Sequence, residues 1–180
     1  FNGCTNLAHV YFGDETHPSQ LKTIGSNAFQ DSGLEEITIP DGVTNLGGLA
    51  FYQCKELETV NIPAGTTSIN YDTFQFCDKL TEFNVAKDNA TYSSADGYLL
   101  SKDKKKLIIF PTGKASNEFV LLPPSITTIG MYSFYNCPNL THVTIPKKVT
   151  EFESRAFYFC DNLTDIIFFG EPATTIGEDA

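Results

Sequence analysis

A chain of 180 residues that is 41% hydrophobic and carries a net charge of −10 can bury a sizeable core, but its charge has the wrong sign for nucleic acid, whose protein partners present a basic patch. Its only basic run, Lys102-Asp103-Lys104-Lys105-Lys106, includes an acid and has polar flanks, as a solvated hairpin turn does. Acidity of this size favours solubility and cationic partners.

The chain opens on a phrase, Phe1-x-x-Cys4-x-x-Leu7, that returns at Phe51-Cys54-Leu57, Phe74-Cys77-Leu80, Phe134-Cys137-Leu140 and Phe157-Cys160-Leu163, and these five copies hold all five cysteines. The intervals Leu34 to Leu57, Leu57 to Leu80 and Leu140 to Leu163 are each 23 residues, a period that marks a solenoid of stacked coils. Gly13 to Gln20 lengthens the first interval, Leu7 to Leu34, to 27 residues and reads as a surface loop. After the leucine comes an alternating run, as in Leu34-Glu35-Glu36-Ile37-Thr38-Ile39-Pro40, which predicts a short half-buried strand ended by proline. Six residues past the proline an apolar residue precedes Gly or Asn (Leu46-Gly47, Ile69-Asn70, Ile129-Gly130), and a turn with positive φ is expected there. A small residue then precedes phenylalanine, and Phe, Cys and Leu at intervals of three predict a short 3₁₀ or α turn that directs each inward.

The array should hold roughly eight coils, each adding about 4.8 Å if neighbouring strands pair in parallel, for a length on the order of 40 Å. No coil of 23 residues can offset its own ordering entropy, about 1–2 kcal/mol per backbone residue, so the stack must be cooperative. Phe1 starts within a unit and Thr175-Ile176-Gly177-Glu178-Asp179-Ala180 stops where the next phenylalanine is due, so the chain reads as a fragment of a longer array. The lack of a signal peptide or membrane-spanning segment therefore assigns it to no compartment.

Between Leu80 and Leu140 the phrase is missing for 60 residues. Gly97-Tyr98-Leu99-Leu100, the charged turn and Leu107-Ile108-Ile109-Phe110-Pro111 predict a β-hairpin, and Val120-Leu121-Leu122-Pro123 a short coil without its helical turn, an irregular insertion over about 86–123. If Pro111 and Pro123 hold the slot of Pro40, then Ile108, Phe110, Val120 and Leu122 point inward. Leu107, Ile109, Phe119 and Leu121 then face outward as an apolar binding patch, unless the hairpin folds over them.

Leu-x-x-Ile-x-Ile-Pro followed by Ile-Gly-x-x-Ala-Phe-x-x-Cys at a 23-residue period resembles the bacterial BspA-like, surface-antigen type leucine-rich repeats. Thr23-Ile24-Gly25-Ser26-Asn27-Ala28-Phe29, Thr128-Ile129-Gly130-Met131-Tyr132-Ser133-Phe134 and the Asp96-Gly97-Tyr98-Leu99 hairpin carry the likeness. Ser32 in the cysteine slot, Ala86 in the proline slot and Glu153 in the glycine slot depart from it. The resemblance implies an α/β repeat solenoid forming a single leucine-rich-repeat domain over residues 1–180: a right-handed superhelix with a parallel β-sheet on its concave side, short helical turns on its convex side and one β-hairpin interruption. It also implies a secreted or surface-attached protein, mainly bacterial, associated with adhesion to host proteins or other cells. It brings no catalytic motif.

Candidate chemistry is sparse. The cysteines fall in inward slots and are expected to be buried, reduced thiols, although Cys54/Cys77 and Cys137/Cys160 lie in adjacent coils. His9 and His142 fall in outward strand slots and His17 in the loop, with no metal-ligand spacing among them, and Glu36, Glu82 and Asp165 share an outward slot that reads as a solvated acidic face rather than a calcium ladder. Of the sequons Asn89-Ala90-Thr91, Asn139-Leu140-Thr141 and Asn162-Leu163-Thr164, the last two are by-products of the repeat. No grouping of nucleophile, base and oxyanion donors is visible, so no enzyme, cofactor or metal is expected. The expected function is a non-enzymatic binding module whose concave sheet contacts a host or neighbouring-cell protein, or a glycan. That sheet would present His9, Tyr11, Glu36, Thr38, Thr59, Asn61, Glu82, Asn84, His142, Thr144, Asp165 and Ile167, together with Phe119 and Leu121 of the outward patch, and Tyr11, Phe119 and Phe169 would be its aromatic or apolar anchors. The alternative is a structural spacer presenting another domain, in which outward Thr and Asn would be interchangeable.

Overall fold

The computed structural model describes residues 1–14, 16–115, 120–170 and 175–180. In chain order the strands are β1 (Thr23–Ile24), β2 (Glu36–Thr38), β3 (Asn45–Leu46), β4 (Thr59–Ile62), β5 (Ser68–Ile69), β6 (Glu82–Val85), β7 (Tyr92–Ala95), β8 (Tyr98–Ser101), β9 (Lys106–Ile109), β10 (Val120–Leu121), β11 (Thr128–Ile129), β12 (His142–Ile145), β13 (Glu151–Phe152), β14 (Asp165–Phe168) and β15 (Thr175–Ile176). A regular coil has a long strand, a short strand and a turn, and so three sides. On the long-strand side, the one the resemblance makes concave, β2-β4-β6 and β10-β12-β14 form two separate sheets. The short strands form β1-β3-β5 and, with the hairpin, β15-β13-β11-β9-β8-β7. Neighbours on the long-strand side pair in parallel one repeat apart, Ile37 with Val60 and Val60 with Phe83.

The array has about six turns rather than roughly eight. Between β6 and β12, where the 23-residue period leaves room for two long strands, only β10 joins the long-strand side.

The regular turns are not helical, contrary to the expected 3₁₀ or α turns. They consist of overlapping β-turns in which Ala28, Gln30 and Ser32 donate to the carbonyls of Gly25, Asn27 and Phe29. The intervening N–H groups of Asn27, Phe29 and Asp31 donate instead to Gly48, Ala50 and Tyr52 of the next coil. With alternate donors committed across coils, an i→i−4 ladder cannot form. Left-handed residues flank the phenylalanine at two positions on either side, as at Asn27 and Asp31, Leu49 and Gln53, and Tyr132 and Asn136. Among the described residues the one helical element is the 3₁₀ turn Thr112–Lys114. The Ile-Gly slot does not use positive φ either. Its glycine permits close approach, since a Cβ on Gly47 would lie 2.5 Å from the Ser26 nitrogen and one on Gly130 2.3 Å from the Leu107 oxygen.

Inside, each slot stacks on its own copy. Phe1, Phe29, Phe51 and Phe74 form a column with ring centroids 5.2, 5.4 and 5.3 Å apart, and Phe110, Phe134 and Phe157 form a second at 4.7 and 4.5 Å. Cys54, Cys77 and Cys160 donate to the carbonyls of Phe29, Phe51 and Phe134 in the preceding coil, at 3.0, 3.1 and 2.9 Å. Ser32, standing in the cysteine slot, contacts the Cys54 sulfur at 3.3 Å. Burial pushes the Cys54, Cys77 and Cys137 thiols up from their ordinary range. All five cysteines are free, and Cys4, against the inward expectation, is exposed.

The hairpin separates two core clusters and serves both: Tyr92, Leu99 and Ile109 pack into the first, and Tyr98, Leu100 and Leu107 into the second. The expectation that Leu107 and Ile109 face outward is overturned. β9 lies on the short-strand side, with Leu107 registered on Ile129, and Phe110 N–H donates to Ser133 just as Phe51 N–H does to Thr73. Pro111 therefore does not hold the Pro40 slot, and Leu107 is fully buried while Ile109 is nearly so. The first of the three sequons also has a structural role. Asn89 is fully buried, donates to the carbonyls of Pro63 and Thr66 at 2.8 Å each, and accepts from the N–H groups of Thr91 and Tyr92 at 2.9 and 2.7 Å.

Asn89→Ala strands these groups and should destabilise the fold by about 3 kcal/mol, read as a fall in urea midpoint. Thiol alkylation of the native protein at mildly alkaline pH should modify Cys4 rapidly and spare Cys54, Cys77 and Cys137 until denaturant is added, because the reactive species is the thiolate and burial suppresses it.

Candidate binding surface

Parallel register aligns the outward residues of the first sheet in two rows. Glu36, Thr59 and Glu82 form one, and Thr38, Asn61 and Asn84 the other. The second row is hydrogen-bonded along its length: Asn61 Nδ2 donates to Thr38 Oγ1 at 3.1 Å and Asn84 Nδ2 to Asn61 Oδ1 at 3.2 Å. Tyr11 is 89% exposed but lies in irregular chain rather than a strand. With His9, Asp14, Glu36, Thr38 and Asp41 it lines a cleft of 460 Å³ that includes three carboxylates.

The hairpin then occupies the gap between β6 and β10. Beyond it, the second sheet aligns His142 with Asp165, and Leu121 with Thr144 and Ile167. His142 Nε2 lies 3.0 Å from an Asp165 carboxylate oxygen. Thr144 is only 5% exposed, and its hydroxyl donates to the Val120 carbonyl at 2.8 Å, so it presents little polar surface. Leu121 and Phe169 are each 67% exposed and border a cleft of 840 Å³. Phe119 lies outside the described residues. Outward strand residues thus fall in register in two sheets divided by the hairpin, polar in the first and mixed in the second, where Leu121 and Ile167 stand beside the His142–Asp165 pair. Tyr98 ties that hairpin to the second half by donating to the Leu121 carbonyl at 3.0 Å.

A surface that sequence reasoning missed lies on the turn side. Tyr71 stacks on Tyr132 at 4.3 Å across the coil that lacks a regular turn, and Tyr132, Tyr135, Tyr158 and Phe159 continue the contact network. Arg155 lies over Tyr132 and Tyr158, 6.0 and 5.5 Å from the ring centroids, and bonds the Tyr132 hydroxyl at 2.8 Å. The available signal was the aromatics at slots just before and after the repeated phenylalanine. Among the described residues no group of three or more His, Cys, Asp or Glu could hold a metal ion, and no helix is long and apolar enough to cross a membrane.

Short parallel strands stacked one repeat apart around columns of Phe, Cys and Leu define a leucine-rich-repeat solenoid. The BspA type leucine rich repeat region matches residues 1–99 and 112–180 in six copies, and the chain belongs to that family. The unmatched segment falls within the hairpin. Among solved structures the chain is similar to a leucine-rich repeat protein from Eubacterium ventriosum (TM-score 0.67, 23% identity), with 89% of this chain and 48% of that one covered. It is also similar to the pneumococcal vaccine antigen PcpA (0.61, 24%; 89% and 44% covered) and to a leucine-rich cell surface protein from Faecalibacterium prausnitzii (0.57, 24%; 99% and 59% covered). The chain spans about half the length of these proteins, and at such identities the likeness establishes the fold alone. No curated protein matches in sequence. Repeats of this family are interaction or structural modules, generally non-enzymatic.

Burial, with Asp96 nearby, pushes the Tyr98 hydroxyl from its ordinary 10 up to about 12. The folded state thus holds this proton more tightly than the unfolded chain does. The resulting stability is fully present below pH 10 and is lost as pH rises through about 12. Tyr98→Phe should flatten that part of the alkaline unfolding profile, followed by circular dichroism.

Proposed function

We propose that the whole chain acts as one non-enzymatic binding module of a secreted or cell-surface bacterial protein, engaging a host or neighbouring-cell protein, or a glycan, through its long-strand side. The observation that carries this is the exposure of Leu121 in a strand row where the first sheet has Thr and Asn, with Phe169 equally exposed on the same cleft. Large apolar side chains held in the open by a rigid stack supply anchors at little ordering cost. The surface address draws support from similar proteins described as a cell surface protein and a vaccine antigen. The row Thr38-Asn61-Asn84 favours the second reading, a spacer, for the first half, because its side chains use their hydrogen bonds on one another.

The test is a binding screen of the folded array against extracellular-matrix proteins and a glycan panel. Its controls are Leu121→Ser and the combined Thr38→Ala, Asn61→Ala, Glu82→Ala and His142→Ala variant. Saturable binding should be lost in the combined variant and weakened about tenfold by Leu121→Ser, with stability changed by less than about 0.5 kcal/mol. A folded array that binds nothing would favour the spacer.

A further inference from the structure

The 840 Å³ cleft beside Leu121 runs along the edge where the second sheet passes into its turns, with Pro124, Thr144 and Pro146 between Leu121 and Phe169. Lys147 and Lys148 also line it, are exposed, and take part in none of the ion pairs among the described residues. The matching turns of earlier coils carry Asp41-Gly42, Ala64-Gly65 and Lys87-Asp88, so the lysine pair belongs to this coil and not to the repeat. Two cations that pair with no described residue and border apolar walls, in a chain of net charge −10, complement a ligand whose anionic groups adjoin apolar ones. Leu121 and Phe169 stand two coils apart, roughly 10 Å at one strand spacing per coil, which three extended residues span.

We propose that this cleft binds an extended acidic peptide segment of a partner protein, seating an aliphatic or aromatic side chain between Leu121 and Phe169 and its carboxylates against Lys147 and Lys148. The proposal rests on the reading of the long-strand side as a protein-binding face and gives that face its ligand chemistry. Peptide side chains would enter the cleft at alternate positions, as they do along any strand. The ammonium groups, solvated and at the rim, contribute mainly to selectivity and to salt dependence.

The experiment is a fluorescence anisotropy titration with a labelled synthetic peptide of alternating glutamate and leucine or phenylalanine. Two companions replace the glutamates by lysine or the apolar residues by serine, and laurate is tested as competitor. Only the acidic apolar peptide should bind saturably, and more weakly as salt is raised. The double variant Lys147→Glu, Lys148→Glu should weaken it at least tenfold, and Leu121→Ser or Phe169→Ser about tenfold. Lys55→Glu, an exposed position away from the cleft, should leave it unchanged. The lysine variant touches no core residue, so it decides the matter even if Phe169→Ser unfolds. Equal binding of the lysine or serine peptide, indifference to the lysine reversal, or binding of laurate but no peptide overturns the proposal. If the peptide fails while a partner from the screen still requires Thr38, Asn61, Glu82 and His142, the protein-binding face stands and only its acidic-peptide ligand falls.

Discussion

In-register stacking at one strand spacing is the constraint from which the rest of this molecule follows. Each slot of a coil faces its own copy in the coils above and below, so a residue must suit itself as a neighbour. Phenylalanine satisfies this by offset stacking, and cysteine by a thiol small enough to reach the preceding Phe carbonyl. The small slot before phenylalanine and the glycine at Gly47 follow from the same closeness, with no room for a Cβ at the latter. The constraint also explains why the regular turns are not helical. A helix would consume its own N–H groups, whereas here alternate donors are spent on the next coil, as Phe29 to Ala50. Stability is therefore held between coils rather than within them.

The hairpin is where that constraint is lifted, and its side chains stand in for the missing strands. In a regular coil Ile39 N–H donates to Asn61 of the next long strand. The equivalent donor on β6, Val85 N–H, reaches the Ser94 hydroxyl at 3.1 Å, and Phe83 N–H reaches the Gly97 carbonyl at 3.0 Å. On the short-strand side Ile69 N–H, at the open edge of β5, finds the Tyr92 hydroxyl at 3.1 Å. The slot occupied by Val43 in a regular coil becomes Thr66 and then Asn89 on the approach to the hairpin. The hydroxyl of Thr66 bonds the Val43 carbonyl, and the amide of Asn89 bonds carbonyls of the coil before it. Glu153, in the glycine slot, serves a similar end beyond the hairpin, pairing with Lys106 at 2.6 Å and accepting from Met131 N–H at 2.8 Å.

These substitutions mark the limit of what the sequence makes legible. Alternation fixed the outward rows wherever it was clean: Ile37-Thr38-Ile39 has one apolar face, and the register that follows aligns Thr38 with Asn61. Leu107-Ile108-Ile109-Phe110 has no polar residue to set its face, so proline spacing was the remaining guide, and it misled because β9 belongs to the other side of the coil. Spacing of three between Phe, Cys and Leu fits a helical turn and a run of β-turns equally, and only the inter-coil hydrogen bonds distinguish them. Thr144 follows the outward pattern yet bonds a backbone carbonyl, a choice open to any threonine beside a strand. The tyrosine cluster stayed hidden because its closest stack, Tyr71 on Tyr132, joins different slots that meet only where a regular turn is missing.

Rigid repetition bears on recognition through what it leaves unspent. A side chain that already satisfies its copy in the next coil, as Asn61 does toward Thr38 and Asn84 toward Asn61, must break that bond before it can bond a partner, so its net contribution to affinity is small. An apolar side chain standing free carries no such debt, and covering it removes area from water at roughly 25 cal/mol per Å². Leu121 and Phe169 are in that state, and the carbonyl of Leu121 is held by Tyr98 from the hairpin, so ordering at this position is complete before any partner arrives. The irregular insertion thus does two things at once. It ends the polar ladder of the first sheet, and it braces the position at which the second sheet presents its apolar anchor.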